Sequence, residues 1–110
     1  MVMYVPDRGD LVWLQFDPQS GHEQAGRRPA LTLSPKAYNE RVGLAIFCPV
    51  TSSEKGYPFE VKIREQKIQG VILADQVKSL DWKKREAKFI VKVPLPVMNQ
   101  VIELLKTLVS

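Results

Sequence analysis

The chain has 110 residues, and 45% of them are hydrophobic, enough for one buried core and too many for a disordered tail. Sixteen basic side chains against 12 acidic ones leave a net charge of +4, which suits a polyanionic partner such as RNA, DNA or an acidic peptide. No apolar run approaches the ~20 residues of a membrane span, "MVMYVPDRGD" lacks the order of a signal peptide, and a single cysteine, Cys48, excludes an intrachain disulfide framework. The expectation is one cytoplasmic domain over residues 1–110, making no contact with a membrane.

"DLVWLQF" (10–16) is apolar on both alternating faces and reads as a strand covered on both sides. A polar loop with two glycines follows, "DPQSGHEQAGRR" (17–28). "PALTLSP" (29–35) reads as a second strand fenced by prolines, and "KAYNE" (36–40) as one helical turn. "GLAIFCPVT" (43–51) is a third strand carrying Cys48 as a buried thiol, and it ends in the hydroxyl cluster Thr51, Ser52 and Ser53. "PFEVKI" (58–63) predicts a fourth strand. "GVILADQVKSL" (70–80) predicts a fifth, with Gly70 at a turn or bulge, and "AKFIVKV" (87–93) a sixth. The tail differs: Val97, Val101, Leu104, Leu105 and Leu108 recur at helical spacing, and Pro96 suits the first helical position. Short strands closed by one amphipathic helix predict a mainly β protein, a small curved sheet or barrel with the helix packed on it.

Several chemistries find no support. Zinc sites cluster Cys and His, whereas this chain has one of each, far apart. Asp75 and Asp81 lie six apart, with no Asp-x-Asp or Glu-x-x-His pattern near them. A metal site assembled from distant residues stays open. "GHEQAG" lacks the Lys-Ser/Thr ending of a phosphate-binding loop. No Ser-His-Asp triad is legible, and His22 has no second histidine to work with.

What remains is a set of polar residues beside strand ends: Glu23, Arg27, Arg28, Thr51, Ser52, Asp75 and Gln76. A guanidinium matches two phosphate oxygens and stays charged, and a threonine hydroxyl can donate beside it. Metal-free phosphodiester cleavage is hard unless the substrate carries its own nucleophile, as RNA does in its 2′-hydroxyl. The plainer readings are solvated loop arginines, a turn threonine, Asp75 and Gln76 satisfying backbone groups, and Trp13 and Trp82 as core residues.

"VPDRGDLVWLQFDPQSGHEQAGRRPALTLSP", "CPVTSSEKGYPFEV" and "GVILADQVKSLDWKKR" closely resemble the MazF toxins of the MazF/PemK family. The markers are Gly-Asp before an apolar strand, Gly-x-Glu-Gln-x-Gly-x-Arg-Pro-Ala, Pro-Val-Thr and Ala-Asp-Gln-Val-Lys. The resemblance implies an SH3-like barrel of the CcdB/PemK type with a C-terminal α-helix. It also implies a homodimeric, metal-independent endoribonuclease that cuts single-stranded mRNA at short motifs and needs no cofactor. Such a toxin leaves a 2′,3′-cyclic phosphate and a 5′-hydroxyl, arrests growth, and is neutralised by an antitoxin with an acidic C-terminal segment. By the same resemblance Arg28, Thr51 and Glu23 are the catalytic set. Gln76 lies by the RNA groove, and Arg27, Ser52, Lys55 and Lys78 are RNA contacts. The alternative is a CcdB-like toxin that poisons DNA gyrase by binding alone, which would need neither Arg28 nor Thr51.

Overall fold

The computed structural model describes residues 3–15 and 26–110. Phe16, His22 and Glu23 lie outside the described residues. The elements run β1 (Asp10–Gln15), β2 (Arg27–Thr32), α1 (Lys36–Val42), β3 (Ala45–Thr51), β4 (Glu60–Arg64), β5 (Gln69–Leu73), β6 (Lys78–Leu80), β7 (Lys88–Lys92) and α2 (Leu95–Val109). The strands form one antiparallel, curled sheet in the order β4-β5-β3-β2-β1-β7, with β6 also pairing with β3. It is a half-barrel with α2 packed on it, the mainly β architecture with a C-terminal helix that the periodicities predict.

Alternation along the strands separates two apolar clusters. On one face Leu11, Leu31, Cys48, Val50, Val61 and Ile72 join Met98 and Val101 of α2. Val12, Leu14, Ala30, Ala45 and Phe47 point the other way and are sealed by Val5 and Trp82. Trp82 is thus a core residue, and Trp13 packs against the first cluster. Cys48 is fully buried. Burial, with the charge of Asp75 behind it, pushes its thiol up to about 12, so it stays protonated and unreactive at neutral pH.

A polar network ties the flanking segments to the sheet. Asn39 of α1 is fully buried. Its amide donates to the carbonyls of Pro6 (2.7 Å) and Ser34 (3.0 Å), and its side-chain oxygen accepts from the Ser34 hydroxyl. The Trp82 indole donates to its backbone carbonyl at 2.9 Å. At the start of β1, Asp10 accepts from the Tyr4 hydroxyl at 2.6 Å and pairs with Lys92 at 3.1 Å. Burial first, then the Asp10 hydrogen bond, pushes the Tyr4 phenol far above its ordinary value.

Three elements differ from the sequence expectation. The run 70–80 is two strands, because Ala74 and Asp75 form a turn in which the Ala74 amide donates to Phe59 and that of Gln76 to Leu73. Aspartate is a poor strand residue, and the turn lets the chain pair with β3 twice, β5 at Val50–Thr51 and β6 at Ala45–Phe47. The second strand begins at Arg27 and contains Pro29 instead of starting there. Pro96 is the second helical residue, since α2 begins at Leu95 with Pro94 as its N-cap.

Candidate active site

β1 and β2 pair Leu14 with Arg28, and β2 and β3 pair Ala30 with Pro49. Continuing the second register by two residues sets Arg28 opposite Thr51. The recorded ladder stops short of that point. Pro29 and Pro49 both lack an N–H there, so neither can donate to the ladder. The two strands are left unzipped where one ends in an arginine and the other in a threonine.

Two cavities occupy this place, and Arg28 and Thr51 line both. The larger, about 560 Å³, is walled further by Lys55, Tyr57, Glu60 and Gln76. The smaller, about 310 Å³, adds Ser52 and Lys67. The β-pleat explains the grouping: Arg28, Pro49, Thr51, Leu73 and Glu60 occupy matching positions on neighbouring strands and so share one face of the sheet. Arg28 is exposed and Thr51 half-buried. The Thr51 hydroxyl oxygen accepts from the Ser53 amide at 3.1 Å, which leaves its proton free to donate elsewhere. An arginine fork and a hydroxyl donor on the wall of one cleft have the chemistry to hold a tetrahedral oxyanion.

The loop from Ser52 to Phe59 forms one side of the larger cavity and is fixed by carboxylates. Glu60 accepts from the backbone amides of Lys55 (3.0 Å), Gly56 (3.0 Å) and Tyr57 (3.2 Å). The Tyr57 hydroxyl donates to Asp75 in the turn after β5. Sequence reasoning singled out neither Tyr57 nor Glu60. The only local signal is an exposed aromatic in "KGYPFE", a turn-forming stretch.

The other residues expected at the site are placed less uniformly. Ser52, Lys55 and Gln76 reach the cavities. Arg27 sits on the opposite face from Arg28, paired with Gln15 at the end of β1, and lines neither. Lys78 pairs with Phe47, four residues along β3 from Thr51, which is about 13 Å at strand spacing. Among the described residues no three of His, Cys, Asp and Glu are grouped so as to hold a metal ion.

Residues 7–109 match the family of PemK-like, MazF-like toxins of type II toxin–antitoxin systems. The chain belongs to the MazF/PemK toxin family. The endoribonuclease toxin MazF of Escherichia coli K12 is 56% identical over 84 residues, 76% of each chain. A crystal structure of MazF from Deinococcus radiodurans superimposes with a TM-score of 0.86 at 54% identity, covering 96% of this chain and 97% of that one. A MazE–MazF complex from the same organism gives a TM-score of 0.88 at 48% identity over 98% of both chains.

One glycine of this MazF-like chain bears directly on the cleft. Gly70 lies inside β5 opposite Ile63, not at a turn, and it marks a close approach of two backbones. A Cβ there would sit 2.3 Å from the Thr51 carbonyl oxygen, and the backbone φ is +155°. Gly70→Ala must therefore push β5 from β3 at Thr51. The expected loss is about 1–3 kcal/mol in urea unfolding, with slower cleavage by the folded fraction. Wild-type stability and rate together would show that the approach has slack.

Proposed function

We propose that this chain, an endoribonuclease of the MazF/PemK toxin family, cuts single-stranded mRNA at a short motif without a metal ion, through the substrate's own 2′-hydroxyl. The 2′-oxygen attacks the adjacent phosphorus and the bond to the 5′-oxygen breaks, giving a 2′,3′-cyclic phosphate and a 5′-hydroxyl. Arg28 clamps the charge that builds on the non-bridging oxygens, and Thr51 donates beside it. The 2′-hydroxyl proton passes to Glu23 or water, and the leaving 5′-oxygen is protonated by Arg28 or water. The observation that carries this reading is the unzipped end of β2 and β3, where Arg28 and Thr51 line the same cavities.

Around that pair Ser52, Lys55 and Gln76 hold the RNA, Lys55 adding charge that a polyanion requires. Arg27 and Lys78, off the cavity walls, contribute long-range attraction to the flanking backbone. In the same proposal the toxin is a cytoplasmic homodimer. Its antitoxin partner is an acidic, apolar-studded C-terminal segment that competes with RNA for the Arg28 face.

Mapping of 5′-hydroxyl RNA ends tests this. Purified protein in EDTA should create new ends at one short motif, and a saturating acidic antitoxin segment should suppress them. Light scattering of the same sample should give twice the mass of one chain. Intact RNA alongside inhibited gyrase would replace the ribonuclease reading with the CcdB-like one. Cleavage that an occluding antitoxin leaves unchanged would remove competition at the Arg28 face.

A further inference from the structure

The Tyr57–Asp75 pair is not needed for the phosphate chemistry, yet Tyr57 stands on the wall of the same cavity, with Asp75 hydrogen-bonded behind it. Tyr57 is 46% exposed and lines the cavity, so its side chain is open to a ligand there. Its phenolic proton is directed at Oδ2 of Asp75, while the other carboxylate oxygen of Asp75 is enclosed and has no donor. An ionised carboxylate accepts only. With one oxygen sealed, the hydroxyl of Tyr57 is the donor this group takes. The hydrogen bond to Asp75, ahead of desolvation and the Asp75 charge, pushes the Tyr57 phenol up, so its proton stays in place at neutral pH.

A hydroxyl normally offers a ligand either a donor or an acceptor, because it can rotate. Here rotation is spent. The oxygen of Tyr57 has lone pairs left for the cavity and no hydrogen. The ring is held by its tilted contact with Phe59, with centroids 5.9 Å apart, and its backbone amide is held by Glu60 at 3.2 Å. The Asp75 charge behind it makes this hydroxyl a poor partner for a phosphate, which Arg28 and Thr51 suit elsewhere on the cavity wall. A base edge suits it.

We infer that Tyr57, oriented by Asp75, accepts a hydrogen bond from the exocyclic amine of cytosine or adenine in the bound RNA, and so sets one position of the cleavage motif against uracil and guanine. This rests on the ribonuclease reading above. At the matching atom uracil and guanine carry a carbonyl oxygen. It would face the lone pairs of Tyr57 with no proton between them, and rejection of such a mismatch is stronger than loss of a mere contact.

The test is competitive cleavage of an RNA pool in which C/U and A/G are exchanged position by position, read from 5′-hydroxyl ends. Wild type should favour the amino base at one position on the order of tenfold, the scale of one hydrogen bond to a fixed acceptor. Tyr57→Phe should bring that preference close to unity and leave the other positions as they were. Asp75→Asn can donate its amide to Tyr57 and turn the phenolic proton outward, so the same position should shift toward the keto base. Thermal melting controls for folding, and should Tyr57→Phe not fold, Asp75→Asn decides alone. An unchanged profile in the folded variants, or equal slowing at all motifs, would overturn the inference while leaving the ribonuclease intact. No cleavage by wild type would overturn the ribonuclease reading and this one with it.

Discussion

Arg28→Ala should cleave RNA on the order of 10²–10³ more slowly than wild type, with the fold unchanged. That is the effect of removing one preorganised donor from a developing oxyanion, about 2.7–4 kcal/mol of transition-state stabilisation. Arg28 is exposed at the end of β2 and is not a core residue, so its removal leaves no cavity. The strand stays paired with β1 on both sides of it, Pro29 opposite Trp13 and Arg27 opposite Gln15. Arg28→Lys should recover only part of the rate. An ammonium keeps the charge, but it offers a point where the guanidinium offers a planar fork matched to two oxygens. Thr51→Ala should also slow cleavage, by less, because a neutral hydroxyl donates more weakly than a charged group. Single-turnover rates with saturating RNA separate these from binding losses. Full activity in folded Arg28→Ala would remove the arginine from the mechanism. Full rescue by lysine would reduce its role to charge and dispose of the fork argument.

The strands were legible where apolar residues alternate or run unbroken between turn residues. β1, β3 and β7 fall within two residues of where the pattern puts them, and the 3.6-residue repeat of Val97, Val101 and Leu104 marks α2. The run 70–80 misled because apolar residues flank Asp75-Gln76 on both sides, so one strand and two give the same composition. Only pairing with β3 at two separate places distinguishes them. Pro29 misled differently. Proline signals a strand boundary when a ladder bond is needed at its nitrogen, and here the β2–β3 ladder ends at that level. The cleft that results was not visible in sequence, although both prolines were. Arg28 and Thr51 stood bottom-up among the polar residues beside strand ends, with a loop arginine and a turn threonine as the plainer reading; the catalytic role proposed for them comes from the family resemblance. The Tyr57–Asp75 contact spans 18 residues and joins a loop to a turn. Neither local propensity nor periodicity carries information about such a pair.

The identity of the nucleophile gives the largest expected effect of all. In the proposed mechanism the described part of the site supplies an anion clamp and a hydroxyl donor, and the half-buried Thr51 has no base among the described lining residues except Glu60. Glu60 is occupied by three backbone amides, which draw on the lone pairs a base would need. The attacking oxygen should therefore come from the substrate. An all-DNA strand carrying the motif should remain whole. The same strand with one ribonucleotide immediately 5′ of the scissile phosphate should be cut at that phosphate and nowhere else. Moving the ribonucleotide one position to either side should abolish cleavage, since only the adjacent 2′-oxygen can reach that phosphorus in line. EDTA should alter none of these results, and the 5′ product should end in a cyclic phosphate. A cut all-DNA strand would mean that water or a side chain attacks, and the role of Arg28 would then have to be rebuilt around a different nucleophile.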